Sequence, residues 1–237
     1  MKERNTVDLI IEAATSFYNE SKEDANGRYR SWEHCYKQFH DARNNPNVDC
    51  DYLSLHLAFY LASWGMYRGS SFLLQKDYKV HIPVVKEILD EKNDCLFGIE
   101  CKELRNQTVQ QRLVQLEKSM SNYYDGIRKE KKDPDVKNRL STTLITKILM
   151  GTLGCAPAYD RYFVEGIKSQ KITTGNYNIN SLLRLVDFYE ENRDEFENIR
   201  KGFRVYDLQY PQMKMLDMGF WKMGYDKDFT KEKTVPA

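Results

Sequence analysis

The chain has 237 residues, of which 41% are hydrophobic and 30% are charged, a globular composition with enough material for a core. Its 36 Lys and Arg residues nearly balance its 35 Asp and Glu residues. The net charge therefore excludes a strong overall attraction to nucleic acid, which would have to come from local basic clusters. The longest apolar run, 57–66, is too short to cross a bilayer, so we expect no membrane partner.

The five cysteines are odd in number and form no CxxC pair. Together with the lack of an N-terminal signal sequence, this favours a cytoplasmic protein whose thiols are free. Nothing resembles a phosphate-binding glycine-rich loop, a nucleophile elbow or a cluster of metal ligands. We therefore expect no metal and no cofactor.

Apolar residues at helical spacing predict helices over 6–18 and 31–43. The next helix, predicted over 51–68, is apolar nearly all round, so we expect it to be the central helix of the fold and almost wholly buried. Its end carries aromatic and basic side chains that can line a pocket for a planar base, since aromatic rings stack on bases and arginine contacts phosphates. These candidate substrate-binding residues are Trp64, Tyr67 and Arg68. The Gly-Ser-Ser sequence that follows is also typical of an ordinary turn between helices, and that alternative stays open.

The remaining helical segments are predicted over 83–89, 107–128 and 180–203, with a hydrophilic linker at 128–138. One face of the helix over 180–203 carries carboxylates that phosphates would repel, so we expect this face to point away from any nucleic acid. These acidic residues are Asp187, Glu190, Glu191, Asp194, Glu195 and Glu197. The tail is rich in methionine and aromatic residues and is predicted to pack over the core as a last helix.

No segment shows strand-like alternation, and there is no internal repeat. The fold class is therefore predicted to be all-α, a multi-helix globular protein. We expect two helical lobes, 1–127 and 139–237, with a cleft between them. A single domain is the alternative.

The stretch 139–165 is the most distinctive part of the chain. It predicts an apolar helix with Lys147 on its middle turn, which ends where Gly154 can adopt a left-handed conformation. Pro157 cannot continue that helix, so the chain turns and a new helix starts near 158. Asp160 then lies in the first turn of the new helix, where free backbone N–H groups stabilise a carboxylate. The stretch thus predicts a lysine and an aspartate on adjoining helices.

A lysine-bearing apolar helix, a proline-containing loop and an aspartate at the head of the next helix resemble the core of helix-hairpin-helix DNA glycosylases, especially bacterial relatives of 8-oxoguanine glycosylase. The matching residues are Lys147, Pro157 and Asp160. This resemblance implies that Asp160 assists cleavage of the bond between base and sugar. In some members of the family a lysine attacks the sugar, so Lys147 is expected to be either that nucleophile or a contact to phosphate. The chain departs from the family in lacking a Leu-Pro-Gly-Val-Gly hairpin and in its shorter spacing between the lysine and the aspartate.

Two functional hypotheses follow. The first is a DNA glycosylase-like enzyme that flips a modified base into a pocket, in DNA repair or in defence against phage. Its catalytic residues are Asp160 and Lys147, and Tyr159 and Arg161 join the substrate-binding residues because the stretch is locally basic. The second is a non-catalytic helical protein that binds DNA or protein, in which Asp160 caps a helix and Lys147 is a surface residue.

Overall fold

The computed structural model describes residues 5–43, 45, 47–69, 71–129 and 141–232. Most of these residues are helical. The α-helices are α1 (Thr6–Glu23), α2 (Ser31–Ala42), α3 (Cys50–Ser63), α4 (Ile82–Ile88), α5 (Gln107–Lys129), α6 (Thr142–Thr152), α7 (Arg161–Ser169), α8 (Ile179–Glu191), α9 (Arg193–Arg200) and α10 (Gln212–Glu232). The prediction of an all-α, multi-helix globular fold is confirmed.

Shorter elements connect these helices. Short 3-10 helices occupy Arg28–Arg30, Phe72–Gln75, Tyr78–His81, Glu91–Leu96 and Cys101–Arg105. Two antiparallel two-residue strands, β1 (Arg204–Val205) and β2 (Leu208–Gln209), pair Arg204 with Gln209 and form the only sheet among the described residues. This small hairpin leads the chain into α10.

Side-chain caps explain where several helices begin. The side chain of Asp49 accepts hydrogen bonds from two backbone N–H groups at the start of α3, and that of Asn178 accepts one, from the N–H of Ser181, at the start of α8. Ser141 caps α6 through the N–H of Thr143. Asp160 is the cap of α7 itself, one position before the first turn in which the sequence placed it.

Helix α10 lies against α1 and α7. Its contact with α7 is close because each helix has a glycine where the backbone of the other passes. A Cβ added at Gly166 would lie 2.0 Å from the carbonyl oxygen of Phe220, and one added at Gly224 would lie 2.0 Å from that of Tyr162. No side chain fits at these positions, so the two backbones are in direct contact.

A single hydrophobic cluster contains residues of both predicted lobes, including Ile10 of α1, Leu57 of α3, Leu149 of α6 and Leu216 of α10. Helices α2 and α3 pack against α6, and α1 packs against α10. The division into lobes 1–127 and 139–237 stays a prediction, and helices of both ranges share one core. Most of the predicted linker lies outside the described residues.

The expectation that the segment 51–68 is almost wholly buried is wrong. Helix α3 ends at Ser63, and its outer face exposes large apolar side chains at i, i+3 and i+7. They are Tyr52, Leu55 and Phe59, which are 47%, 49% and 59% exposed. The opposite face, with Leu53, Leu57 and Leu61, packs into the core. Apolar residues on all sides of a helix do not tell which side a neighbouring helix covers.

Two helix boundaries also differ from the prediction. The helix expected over 180–203 is broken at Asn192, which ends α8 and precedes α9. Its acidic side chains are partly paired, since Glu190 contacts Arg193 and Glu197 contacts Arg200. Helix α1 continues past the predicted end at position 18, to Glu23.

All five cysteines are free thiols, as predicted. Among the described residues, no helix combines the length and hydrophobicity that crossing a membrane requires.

Candidate active site

Lys147 and Asp160 lie in contact, although they come from different helices. The Nζ atom of Lys147 is 2.8 Å from Oδ2 of Asp160. The lysine side chain is 3% exposed and the aspartate side chain 16% exposed. The structure thus forms a nearly dry ion pair at the junction of α6 and α7, and Lys147 is not a surface residue as the non-catalytic hypothesis supposed.

The loop between α6 and α7 holds Asp160 in place. Gly154 has φ +67°, the left-handed conformation predicted for the end of α6. Farther along, the N–H of Tyr159 donates to the hydroxyl of Thr146 at 3.0 Å, and the hydroxyl of Thr143 donates to the carbonyl of Tyr159 at 3.0 Å. Asp160 Oδ1 accepts from the N–H of Phe163 at 3.2 Å. One carboxylate oxygen therefore caps α7 while the other faces Lys147.

Trp64 covers the ion pair. It lies at the C-cap of α3, where Gly65 at φ +78° lets Met66 N–H reach the carbonyl of Leu61 at 2.8 Å, a Schellman motif. The Nζ atom of Lys147 is 5.0 Å from the centroid of the Trp64 ring, within the range of a cation–π interaction. The indole Nε1 of Trp64 is buried and has no hydrogen-bond partner among the described residues.

A second buried lysine–aspartate pair lies beside the first, and the sequence analysis missed it. Within α10, Lys214 Nζ is 2.8 Å from Asp217 Oδ2, and the two side chains are 3% and 6% exposed. Asp217 Oδ1 accepts from the N–H of Ala158 at 2.9 Å, which ties α10 to the loop before Asp160. The sequence did carry a signal for this pair, namely two charged residues three positions apart in an otherwise apolar stretch.

The two pairs enclose one cavity, which we call the Lys–Asp pocket. It measures about 10 Å³, room for about one water molecule. Its walls are formed by Tyr60, Trp64, Lys147, Ala158, Asp160, Lys214, Asp217 and Trp221. Burial raises the pKa of the Tyr60 hydroxyl well above its usual value, and the charge of Asp217 raises it further. This group therefore stays protonated. A ligand larger than water requires the walls to rearrange.

Tyr67, proposed as a substrate-binding residue, lies in a separate polar group that we call the tyrosine–histidine cluster: Tyr67, His81 and Tyr124. His81 Nε2 is 2.7 Å from the hydroxyl of Tyr67, and Nδ1 is 2.6 Å from that of Tyr124. Burial lowers the pKa of His81 to about 3, so the ring is neutral near pH 7. This cluster does not line the Lys–Asp pocket.

The other three substrate-binding candidates also lie outside the pocket lining. Arg68 is exposed. Tyr159 is buried, and its hydroxyl is 2.9 Å from the hydroxyl of Ser181. Arg161 is 63% exposed and forms ion pairs with Asp228 and Glu165.

Two larger clefts lie elsewhere on the described part of the chain. One, of about 490 Å³, is lined by residues that include Tyr36, His40 and Arg43, and the other, of about 380 Å³, includes Glu117 and Tyr177. Neither contains a predicted site residue. We place the candidate site in the smaller pocket because it joins the predicted catalytic pair, Lys147 and Asp160, to a second buried lysine–aspartate pair, and such burial is costly.

Among the described residues, no group of three or more His, Cys, Asp or Glu side chains is arranged to hold a metal ion. Comparison of the chain with protein-family models, with curated proteins and with solved structures gives no match in any of the three. The resemblance to helix-hairpin-helix glycosylases therefore rests on the residues that carry it in the sequence.

Proposed function

We propose that this protein is a DNA glycosylase-like enzyme that excises a modified base from DNA, in repair or in defence against phage. One observation carries the proposal: the ammonium of Lys147 and the carboxylate of Asp160 lie 2.8 Å apart in a nearly dry pocket. These are the two residues to which the resemblance assigns the chemistry. Their contact supports a shared role.

Asp160 provides the charge that this reaction needs. As the base leaves, positive charge develops on the sugar ring, and a fixed carboxylate in a water-poor site stabilises it electrostatically. Asp160 is fixed from two sides, by the N–H of Phe163 and by Lys147. Its carboxylate thus needs little rearrangement when the charge develops.

Lys147 has two possible roles, nucleophile on C1′ or contact to phosphate. An attacking lysine must first lose a proton, and that proton must leave the Lys147–Asp160 pair, because Asp160 stabilises the sugar only as a carboxylate. A phosphate contact needs no such transfer. The two roles differ in whether a covalent intermediate forms between the lysine and the sugar.

A second candidate function is a non-catalytic helical protein that binds DNA or protein. The exposed apolar row of α3, with Tyr52, Leu55 and Phe59, favours a protein-binding role. In this case the two ion pairs only fix the arrangement of α6, α7 and α10.

The test measures abasic sites after incubation of the protein with DNAs that carry varied modified bases, including phage genomic DNA. The variant is Lys147→Met/Asp160→Ser, which removes both charges of the pair and keeps a capping hydroxyl for α7. We expect base release to fall by a factor of about 100 or more. Because replacing both partners avoids an unpaired buried charge, we expect the variant to stay folded. The exposed pair Arg105 and Asp187 gives the matched control, Arg105→Gln/Asp187→Asn.

Borohydride trapping separates the two roles of Lys147. If the wild-type protein forms a covalent complex with DNA and Lys147→Met does not, Lys147 is the nucleophile. Abasic sites without trapping assign Lys147 to phosphate contact and keep Asp160 as the stabilising group. If no tested DNA loses a base to the wild-type protein, the enzymatic proposal is wrong and the binding function replaces it.

A further inference from the structure

The exposed apolar row of α3 has the spacing of a seam between two helices. Its four members are exposed and lie three or four positions apart: Tyr52, Leu55, Phe59 and Ala62. Two helices that pack side by side as in a coiled coil meet through this i, i+3, i+7, i+10 pattern. No described part of the chain covers the row. A helix with a matching row is therefore the kind of partner that fits this face.

The row matches a second copy of itself when the two helices run antiparallel. With a twofold axis at the level of Leu57, Tyr52 lies opposite the partner's Ala62, and Leu55 lies opposite the partner's Phe59. The largest side chain thus meets the smallest, so the distance between the helix axes stays even along the row. In a parallel pair each residue would meet its own counterpart, large against large and small against small.

The charges at the two ends of α3 also match in the antiparallel arrangement. Asp49 and Asp51 are exposed at its N-terminal end. At the other end the side chain of Arg68 folds back onto the turn that ends α3, since a Cβ added at Gly65 would lie 2.8 Å from its Nε. Across the same axis, the level of Gly65 faces the partner's Asp49. Carboxylates and a guanidinium therefore approach each other twice in one dimer, whereas a parallel pair would bring like charges together.

The exposed surface continues beside the row onto α2 and the hairpin. The ring of Tyr52 lies 4.6 Å from that of His56. Burial lowers the pKa of His56, and the nearby His34 of α2 lowers it further. Nδ1 of His34 is in turn 3.3 Å from the hydroxyl of Tyr206, a residue of the hairpin that is 62% exposed. These residues extend the surface on one side of α3.

The area of this surface suits a small dimer interface. The three large side chains of the row are each about half exposed and offer on the order of 300 Å² of apolar surface, at about 200 Å² for a full side chain. Tyr206 adds on the order of 100 Å². A standard interface buries about 800 Å² on each partner, and about 65% of a homodimer interface is apolar. The surface thus supplies most of the apolar area that a stable dimer needs.

We propose that this protein forms a homodimer in which the α3 helices of two copies pack antiparallel through the exposed row. Leu55 and Phe59 form the centre of the interface, and the carboxylates of Asp49 and Asp51 meet the partner's Arg68 at each end. The proposal goes beyond the proposed function. It holds with either candidate function, because the row does not line the Lys–Asp pocket.

Sedimentation equilibrium over a range of protein concentrations tests the dimer. We expect the mass to rise with concentration from that of one chain, 28.0 kDa, towards twice this value. Phe59→Lys places a charge at the centre of the interface, so we expect the dissociation constant to rise about 100-fold or more. The matched control is Val114→Lys, at an apolar residue of α5 that is 44% exposed. A wild-type protein that stays monomeric at every concentration, or an equal effect of the two substitutions, would overturn the proposal.

An exchange of charges tests the antiparallel direction. Asp51→Arg alone and Arg68→Asp alone each bring like charges together at both ends of the interface, so we expect each to weaken the dimer about tenfold. Asp51→Arg/Arg68→Asp restores opposite charges, and we expect its dissociation constant to return to the wild-type value. Both positions are exposed, so circular dichroism should show the wild-type helix content in every variant. A double substitution that fails to rescue the dimer would contradict the arrangement, since only a second copy carries the compensating change.

Discussion

The Lys–Asp pocket and the tyrosine–histidine cluster are two polar groups in the interior of the same protein, and their hydrogen-bond balance differs. In the cluster, both ring nitrogens of His81 face a tyrosine hydroxyl, and the group is neutral. In the pocket, four charged side chains surround a cavity, and Trp64 Nε1 lacks an acceptor among the described residues. One group is neutral, and the other is charged and holds a buried indole N–H without an acceptor among the described residues.

This difference separates structural polar groups from candidate functional ones. A satisfied neutral group in the interior fixes its neighbours and calls for no ligand. Buried ion pairs are costly to retain, which makes the pocket the stronger candidate for a role in binding or chemistry. The experiments below test whether the two groups behave in these different ways, beginning with the largest effect.

Breaking one half of the charged pair should be the most destabilising change. Asp160→Asn leaves the buried ammonium of Lys147 without its counterion, so we expect a loss of about 3 kcal/mol in the free energy of unfolding. Lys147→Met/Asp160→Ser should lose only about 1 kcal/mol, because no charge is left unpaired. Urea denaturation at pH 7 measures both. Equal losses for the two variants would show that the ion pair is not the reason for the instability, and would weaken the contrast with the neutral cluster.

The neutral cluster should respond to pH. The pKa of His81 is lowered to about 3 in the folded protein, whereas the unfolded chain takes up a proton near pH 6.5. Its contribution to stability is therefore present above pH 6.5 and is lost as the pH falls from 6.5 towards 3. Between pH 7 and pH 5 this amounts to about 2 kcal/mol.

The measurement compares urea denaturation of the wild-type protein and of His81→Gln at pH 7 and pH 5. Other titrating groups contribute to both proteins, so the difference between their pH dependences isolates His81. We expect the variant to lose about 2 kcal/mol less than the wild-type protein over this range. The same dependence in both would mean that the histidine is charged in the folded state.

Tyr67→Phe should affect stability and leave activity unchanged. It removes the hydroxyl that contacts His81 Nε2 at 2.7 Å, so we expect a loss of about 1 kcal/mol. Base release should not change, because Tyr67 does not line the pocket. Tyr52→Phe, at an exposed tyrosine of α3, is the control for loss of a hydroxyl. A large fall in base release with Tyr67→Phe would show that Tyr67 binds the substrate, as the sequence predicted.

The smallest expected effect on folding is at Arg161, which is exposed and outside both groups. Arg161→Gln should leave the denaturation midpoint unchanged and lower DNA affinity, with a salt dependence whose slope is smaller by about 1. The control is Glu191→Lys/Glu195→Lys, which reverses two charges on the acidic face formed by α8 and α9. If this reversal weakened DNA binding more than Arg161→Gln, the prediction that the acidic face points away from DNA would be wrong.

The sequence predicts the parts of this structure that depend on neighbours in the chain. Gly154 and Pro157 determine where α6 ends, and Ser141 determines where it begins, so the proximity of Lys147 to Asp160 follows from local rules. These effects act within a few residues. They can be recognised without knowing the tertiary fold.

The remaining features depend on tertiary packing. The burial of Lys214 and Asp217 reflects the contacts of α10 with α1 and α7, helices far away in the sequence. The exposed row of α3, including Phe59, shows the converse, because an apolar residue stays exposed when no neighbouring helix covers it. The break at Asn192 had a local signal, because asparagine can end a helix. The acidic residues on both sides of it made the segment look like one continuous helix.

The glycine contacts between α7 and α10 determine which wall of the pocket can move. With the backbones touching at Gly166 and Gly224, these two helices have no side chains between them that could yield at those points. The separation of Asp160, at the head of α7, from Asp217, in α10, is thereby fixed. The Trp64 ring is half-buried at the end of α3, and its Nε1 has no hydrogen-bond partner among the described residues, so the ring is held by packing against its neighbours, including Trp221. Enlargement of the pocket therefore falls to wall side chains such as the Trp64 indole and not to a separation of α7 and α10.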